Sequence, residues 1–396
     1  MITSVLFTDL QSFRSSLNAS FLERTPVIDG ILASMITKQN AFLFGLPGTG
    51  KSELVRACAQ GFKNTKFFSY LLSPTTDPSE LYGPVAVSKL LKDEYTRDIS
   101  GYLPDANVCF LDELFRGSSA VLNSLLQVLN ERTFNNGRDL ITTDIQSIVA
   151  ATNSFPTEES LQAFCDRFLF RPTVEGLKSP VSKRKLYEWT VRNNRPEIKS
   201  DLDITGLREL QEQVNDVIVS DEFLDVFSEC MDMLGSRGLV ISDRRRVQIL
   251  TFLRGWAIVQ GEEEVIPEYL HDTLQHICYQ TPDDISVIKE VVNQCVPTAE
   301  QFFNEAKRTL NGVMGQYQEE VSGKPANVGD INRRVMSMKS ILVDLENLQV
   351  RTSAALDSKT MRLSAAMRLK ATKILTEIEA AKDRVTGNIN RYMENN

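Results

Sequence analysis

The segment at residues 45–52, Gly-Leu-Pro-Gly-Thr-Gly-Lys-Ser, constrains the fold of this chain more than any other stretch. It follows a short apolar run and opens a helical pattern, the context in which a backbone wraps around a phosphate chain. Glycines let the backbone N–H groups point inward, and the helix N-terminus adds positive partial charge. The alternative is a glycine-rich turn with an incidental lysine. The candidate nucleotide-binding residues are Gly45, Pro47, Gly48, Thr49, Gly50, Lys51 and Ser52, of which Lys51 would reach the β- and γ-phosphates and Ser52 would bind Mg²⁺.

Four apolar runs predict the strands of a buried parallel sheet. They lie at residues 41–44, 67–72, 108–111 and 148–151, and helical patterns such as 51–60 and 118–130 separate them. Strand alternating with helix predicts an α/β core. Residues 180–280 show helical signals only, and a long amphipathic pattern follows. We therefore predict three domains: an α/β core (1–178), an all-helical unit (179–280) and a C-terminal helical bundle or hairpin (281–396).

Polar side chains follow two of the predicted strands. Asp112 and Glu113 come directly after the run at 108–111, and Asn153 follows the run at 148–151. The carboxyl edge of a parallel sheet is where such folds place ligand chemistry. Asp112 is expected to hold Mg²⁺, Glu113 to polarise the water that attacks the γ-phosphate, and Asn153 to orient that water. A solvated acidic pair and a turn asparagine are the alternatives.

Arginines cluster near the end of the predicted core and again at a helix start. The first group is Arg167 and Arg171, and the second is the string Ser-Asp-Arg-Arg-Arg at residues 242–246. Adjacent arginines at a helix N-terminus oppose the helix dipole, so an anionic neighbour should compensate them. Ordinary salt bridges to acidic helices would satisfy the same requirement.

Composition excludes several classes of function. The formal charge of -8 divides into about -11 for residues 1–296 and +3 for the remainder, which argues against a whole-protein grip on nucleic acid. Six scattered cysteines without a CxxC pair predict reduced, buried thiols and a cytoplasmic protein. No apolar run is long enough to predict membrane insertion. Two histidines leave almost no material for a histidine triad, and His276-x-Cys278 is a weak metal pair beside the alternative of ordinary packing.

An apolar stripe in the last segment predicts a long amphipathic helix. Its members are Leu356, Leu363, Met367, Ile374, Ile378, Ala381, Val385, Ile389 and Tyr392. The stripe is expected to form the core of a bundle, with an intermolecular coiled coil as the alternative. The basic face that includes Arg362, Arg368, Lys370 and Lys373 is interpreted as solvated surface, with a local nucleic-acid patch left open.

Taken in order, these motifs resemble an AAA+ ATPase and, more narrowly, the MoxR family, over roughly residues 20–280. The strings Leu-Tyr-Gly-Pro at 81–84, Gly-Tyr-Leu-Pro at 101–104 and the segment 125–134 also have counterparts there. Within the family the chain is most similar to the regulatory ATPase variant A subgroup, which carries a Ser-Asp-Arg-Arg string after its lid helices. It lacks that subgroup's β-rich insertion.

The resemblance implies roles for particular residues. Asn153 would match sensor 1, Arg167 the arginine finger donated to the neighbouring subunit, and Arg244 the sensor 2 arginine. Arg171 and Arg245 are the second choices for the last two roles. Residues 81–83 resemble the family's helix-2 insertion, whose loops face the pore of the ring, although a plain surface loop is equally compatible.

The resemblance also implies a function. It predicts Mg²⁺-dependent ATP hydrolysis in a homohexameric ring that remodels a protein client, with a von Willebrand factor A domain protein as partner. One alternative is a nucleotide-gated scaffold that docks partners through its C-terminal helices. The other is a nucleic-acid motor, against which the acidic charge of residues 1–296 weighs.

Overall fold

The computed structural model describes residues 4–153, 161, 164–296, 298–322, 325, 327–357 and 365–394. It divides the chain into two compact units. The first comprises Met1–Val265 with Tyr269–Val291, and the second Ile266–Glu268 with Val292–Asn396. The sheet and the helical segment that follows it therefore belong to one compact unit.

A four-stranded parallel sheet forms the centre of the first unit. Its strands, in chain order, are β1 (Ala41–Phe44), β2 (Phe67–Leu71), β3 (Val108–Asp112) and β6 (Ser147–Thr152), and their spatial order is β1-β6-β3-β2. Strands β1 and β6 are buried along their whole length because helices cover both faces. The prediction of an α/β core with a parallel sheet is confirmed.

A short parallel segment beside β1 was not predicted. The N–H groups of Phe42 and Phe44 donate to the carbonyls of Phe170 and Pro172 at 2.8 and 3.0 Å, and Val174 N–H donates back to Phe44. Pro172 has no N–H group, so only part of a ladder forms. Residues 170–174 thus extend the sheet beyond β1 without forming a full strand.

Helices α1 (Ser4–Ser20), α2 (Thr25–Ile36), α3 (Lys51–Gln60) and α6 (Ser119–Glu131) cover the sheet, with two short helices, α4 (Pro78–Tyr82) and α5 (Val87–Leu90), between β2 and β3. A two-stranded hairpin, β4 (Thr133–Asn136) and β5 (Asp139–Thr142), follows α6. This hairpin was not predicted, although its Asn136-Gly137 turn is a typical hairpin signal. Gly137 adopts φ +71° there, a conformation that glycine tolerates.

The later part of the first unit is helical. Its helices are α7 (Pro180–Arg192), α8 (Ile204–Gln213), α9 (Asp221–Ser236), α10 (Asp243–Gln260) and α11 (Tyr269–Ile277), and α12 (Asp284–Cys295) begins there. Helix α10 packs on α2, and Trp256 of α10 is fully buried. The all-helical segment after the sheet is confirmed.

The second unit is a bundle of three long helices, α13 (Ala299–Val321), α14 (Val328–Asp357) and α15 (Ala365–Glu394). Ile374, Ile378, Ala381, Val385 and Ile389 lie in its core, as predicted. Leu356 belongs to α14, which ends at Asp357, and not to the last helix, which begins at Ala365. Leu363 and Arg362 lie outside the described residues. Among those residues, no helix is long and apolar enough to span a bilayer.

Candidate nucleotide-binding site

The loop at residues 45–50 leaves β1 at the carboxyl edge of the sheet and leads directly into α3. Gly48 and Gly50 adopt φ values of +79° and +81°, which side-chain-bearing residues rarely accept. At Gly45 the reason for glycine is space, because a Cβ would lie 2.2 Å from the carbonyl oxygen of Val174. Around Gly48 and Gly50 a Cβ would meet no atom within 4 Å. The loop therefore has the backbone of a phosphate cradle that is open on its outer side.

Lys51 lies at the base of this loop and is only 7% exposed. Its Nζ donates to the carbonyls of Gly45 and Leu46 at 2.6 and 3.1 Å, and to Asn153 Oδ1 at 3.3 Å. Burial lowers the pKa of Lys51, while Asp112 and Glu113 oppose that shift. The ammonium group is thus held by carbonyl and amide oxygens that phosphate oxygens could replace.

The two acidic residues lie beside the loop. Ser52 Oγ donates to Asp112 Oδ2 at 3.2 Å, and Glu113 accepts a hydrogen bond from the amide of Asn153. Glu113 has φ +51°, an uncommon conformation for a residue with a side chain, which turns its carboxylate toward Asn153. Hydrogen bonds therefore join Lys51, Asn153 and Glu113 in one chain across three adjacent strand ends. The oxygens of Ser52 and Asp112 are hard ligands of the type that Mg²⁺ binds, so the residues fit a magnesium nucleotide.

A second cationic site lies at the amino edge of the same sheet. It is a cavity of about 480 Å³ beside Asn40, the residue that precedes β1. The cations that line it are Lys38, Arg132, Arg167, Arg171, Arg244 and Arg245. Asn40 holds this edge together, since its side chain accepts from Arg132 at 2.6 Å and donates to the carbonyl of Arg167 at 3.2 Å. Five residues of extended chain, about 17 Å, separate Asn40 from Gly45.

The arginines of this cavity differ in how they are held. Arg171 is 3% exposed in its side chain, and its guanidinium donates to the carbonyls of Ile277 and Tyr279. Arg245 donates to Ile277 O at 2.8 Å, and burial lowers its pKa to about 10. Arg167 and Arg244 are both exposed.

The anionic neighbours expected for the arginine string are present. Arg245 lies 3.5 Å from the Asp166 carboxylate, and Arg246 lies 3.7 Å from that of Asp232. These distances support the interpretation that salt bridges offset part of the charge at the start of α10. Arg132 and Asn40 were missed as candidates, because a single polar residue before a strand or after a helix has no distinguishing pattern.

The segment 81–83, for which a pore-facing loop was one expectation, is buried. Leu81 and Tyr82 are buried, and Tyr82 stacks on Phe134, so these side chains do not form an exposed client-binding loop. The exposed apolar side chains nearby lie further along the chain, at Val87, Leu90, Leu91 and Tyr95.

Five of the six cysteines are buried, as predicted, and none of the six, all of which lie in the described part of the chain, forms a disulfide. His276 packs edge-on against Phe170, and burial lowers its pKa to about 4. The neighbouring Cys278 is buried as well. Within the described residues no cluster of three metal-ligating side chains occurs, and the contacts of His276 are those of ordinary packing.

A parallel sheet with a glycine-rich loop at its carboxyl edge, followed by a helical segment, is the architecture of AAA+ ATPases. A family model described as the MoxR domain of MoxR-vWA-beta-propeller ternary systems matches residues 8–212, just over half of the chain. A second model, described as an AAA lid domain, matches residues 202–292. The chain belongs to the MoxR family of AAA+ ATPases, a membership that implies ATP-driven, chaperone-like activity.

Relatives of this chain extend over most of its length. An uncharacterized protein of Methanocaldococcus jannaschii is 31% identical over 96% of this chain and 99% of its own. A second uncharacterized protein from the same organism is 34% identical over 78% of this chain and 80% of its own. Chaperone MoxR1 of Mycobacterium tuberculosis is 26% identical over 66% and 73%. A putative ATPase of Cytophaga hutchinsonii has a similar fold, with a TM-score of 0.60 at 16% identity over 74% of this chain and 94% of that one.

Proposed function

We propose that this protein is a Mg²⁺-dependent ATPase that works as a homohexameric ring and remodels a protein client. The observation that carries the proposal is the separation of two half-sites on one sheet. The phosphate loop lies at the carboxyl edge, while Arg167 and Arg244 line the cavity at the amino edge, about 17 Å away along β1. A head-to-tail ring would bring the amino edge of one subunit to the phosphate loop of the next.

In this proposal each residue has a distinct task. Lys51 exchanges its carbonyl partners for the β- and γ-phosphates, and Ser52 and Asp112 hold Mg²⁺, which neutralises charge on the phosphates when it is bound. Glu113 accepts a proton from the attacking water, and Asn153 keeps the Glu113 carboxylate oriented beside Lys51.

Exposure supports Arg167 as the finger and Arg244 as the sensor 2 arginine. Both side chains can reach a neighbouring subunit, whereas Arg171 and Arg245 are bound to backbone carbonyls of residues 277–279. An arginine supplied in trans raises the rate of phosphoryl transfer about 10³- to 10⁵-fold. An isolated subunit should therefore hydrolyse ATP slowly.

The decisive experiment mixes two inactive variants, Arg167→Ala and Lys51→Ala, in equal amounts. The first retains an intact phosphate site and the second an intact finger, so about a quarter of the interfaces in a random ring should be complete. We expect ATPase activity to recover in the mixture.

The matched control mixes Lys51→Ala with Glu113→Gln. Both changes damage the phosphate edge, so no complete site can form and no activity should return. Failure of Arg167→Ala and Lys51→Ala to complement, under conditions where mixed rings form, would contradict the trans arrangement.

Finer features of the proposal rest on the family resemblance. The description of the matching family model supports a von Willebrand factor A domain partner and raises a β-propeller protein as a second one. The Ser-Asp-Arg-Arg string at 242–245 supports a place near the regulatory ATPase variant A subgroup. We propose a cytoplasmic location from the scattered, mostly buried cysteines, and keep 1–178, 179–280 and 281–396 as the domain division.

A further inference from the structure

Helix α7 (Pro180–Arg192) exposes nearly its whole surface. Trp189 is its only buried residue, and at about 100° per residue the face opposite Trp189 carries Lys183, Arg184, Tyr187 and Val191. Tyr187 and Val191 are 63% and 85% exposed. The helix contains four basic residues and one acidic residue. Its outer face is therefore apolar and basic, a composition suited to a negatively charged partner.

Helix α9 (Asp221–Ser236) has the complementary composition. It contains five carboxylates and no basic residue. Phe223, Phe227 and Leu234 lie on its buried face, and the carboxylates occupy the opposite face. They are Asp221, Glu222, Asp225, Glu229 and Asp232, all exposed. Asp221, Asp225 and Glu229 lie four residues apart and repel each other, so cations that approach these three carboxylates would stabilise the helix.

The two helices flank the two half-sites. On the N-terminal side of α7, Val174 contacts Gly45 of the phosphate loop, and on its C-terminal side Arg195 pairs with Glu53 of α3. Helix α9 leads instead to the amino edge: Asp232 pairs with Arg246, and the residues Val240 and Ile241 after α9 line the arginine cavity.

We propose that the outer face of α7 in one subunit binds the acidic face of α9 in the next copy of this chain. The inference rests on the proposed head-to-tail ring, because that ring brings the phosphate-loop edge of one subunit to the arginine edge of its neighbour. Lys183 and Arg184 pair with carboxylates such as Asp225 and Glu229, while Tyr187 and Val191 lose their exposure to water. The interface is heterologous, since each subunit contributes α7 on one side and α9 on the other.

Charge reversal on each helix tests this pairing. The α7 variant carries Lys183→Glu and Arg184→Glu, and the α9 variant carries Asp225→Lys and Glu229→Lys. Both are assembled with Mg²⁺ and the slowly hydrolysed analogue ATPγS, and oligomer mass is measured by mass photometry. Each variant alone should need a roughly tenfold to hundredfold higher concentration to assemble than the unmodified protein. Glu262→Lys with Glu263→Lys, which changes net charge as the α9 variant does, should assemble normally.

Mixing the two reversed variants gives the sharper result. An acidic α7 then meets a basic α9, and a basic α7 meets an acidic α9, so alternating rings should form at the unmodified concentration. Normal assembly of either variant alone, or no recovery on mixing, would overturn the α7–α9 pairing while leaving the ring intact. If the unmodified protein stays monomeric with ATPγS, the ring proposal itself fails, and the interface with it.

Discussion

The two edges of the central sheet are built in different ways. At the carboxyl edge the groups contact one another, and hydrogen bonds link Lys51, Asn153 and Glu113. At the amino edge the arginines line a cavity, where Arg171 and Arg245 are bound to backbone carbonyls of the lid and Arg132 is bound to Asn40. The carboxyl edge resembles a preorganised reaction site. The amino edge instead carries exposed cations, which in the proposed ring would act on the nucleotide of the neighbouring subunit.

In the proposed ring, this difference would leave the catalytic site of a single chain incomplete. The positive charge that would stabilise a hydrolysing γ-phosphate lies on the far side of the sheet from the loop that would bind it. Assembly would then be a condition for turnover. Of the arginines at the amino edge, Arg171 and Arg245 are bound to backbone carbonyls of residues 277–279, whereas Arg167 and Arg244 are exposed.

The largest effect is expected at the carboxyl edge, from Glu113→Gln. The amide keeps the size of the side chain but cannot accept the proton of the attacking water, so kcat should fall about 10²- to 10⁴-fold while ATP binding persists. Binding is measured with a fluorescent nucleotide and turnover by phosphate release. Glu94→Gln, at an exposed carboxylate of the same unit, serves as the control. Unchanged turnover in Glu113→Gln would contradict the assignment of the hydrolysis reaction to the carboxyl edge.

An intermediate effect, on stability, is expected at the anchored arginine of the amino edge. Arg171→Leu removes the donors to Ile277 O and Tyr279 O and the cation–π contact with Tyr279, which lies 4.7 Å from the guanidinium. Buried carbonyls that lose their partners should cost about 3 kcal/mol in the free energy of unfolding. Denaturant titration would measure this. Arg167→Ala, at an exposed position, should change stability by less than about 0.5 kcal/mol. An equal loss in the free energy of unfolding for the two variants would contradict the distinction between an anchored Arg171 and an exposed Arg167.

The smallest effect is a pH dependence at the contact between the lid and residues 170–174. His276 has a pKa of about 4 in the folded protein, against 6.5 ordinarily, chiefly because it is buried. The contribution of His276 to the free energy of unfolding is complete above pH 6.5 and is lost as the pH falls toward 4. In this range only the unfolded chain takes up the proton. Between pH 7.5 and 5 the loss should be about 2 kcal/mol. Unfolding of His276→Phe at both pH values should show a shallower decline, and an identical decline would exclude His276 as its source.

Much of the carboxyl edge could be predicted from the sequence. The loop at 45–52, the strand before it and helix α3 form one continuous local pattern, and the acidic residues follow an unmistakable apolar run. The amino edge could not be assembled in the same way. Asn40, Arg132 and Arg171 are brought together only by tertiary packing, and the parallel segment at 170–174 contains a proline that lowers its strand signal.

The segment at residues 170–174 joins the two edges mechanically. At one end the Val174 carbonyl packs against Gly45 of the phosphate loop, and at the other Arg171 is bound to the lid near Ile277. Extended backbone is close to its maximum length, and Pro172 restricts its rotation further. The segment is therefore a short, stiff link between the phosphate loop and the base of the lid, and we expect a displacement of the loop to be transmitted to the lid.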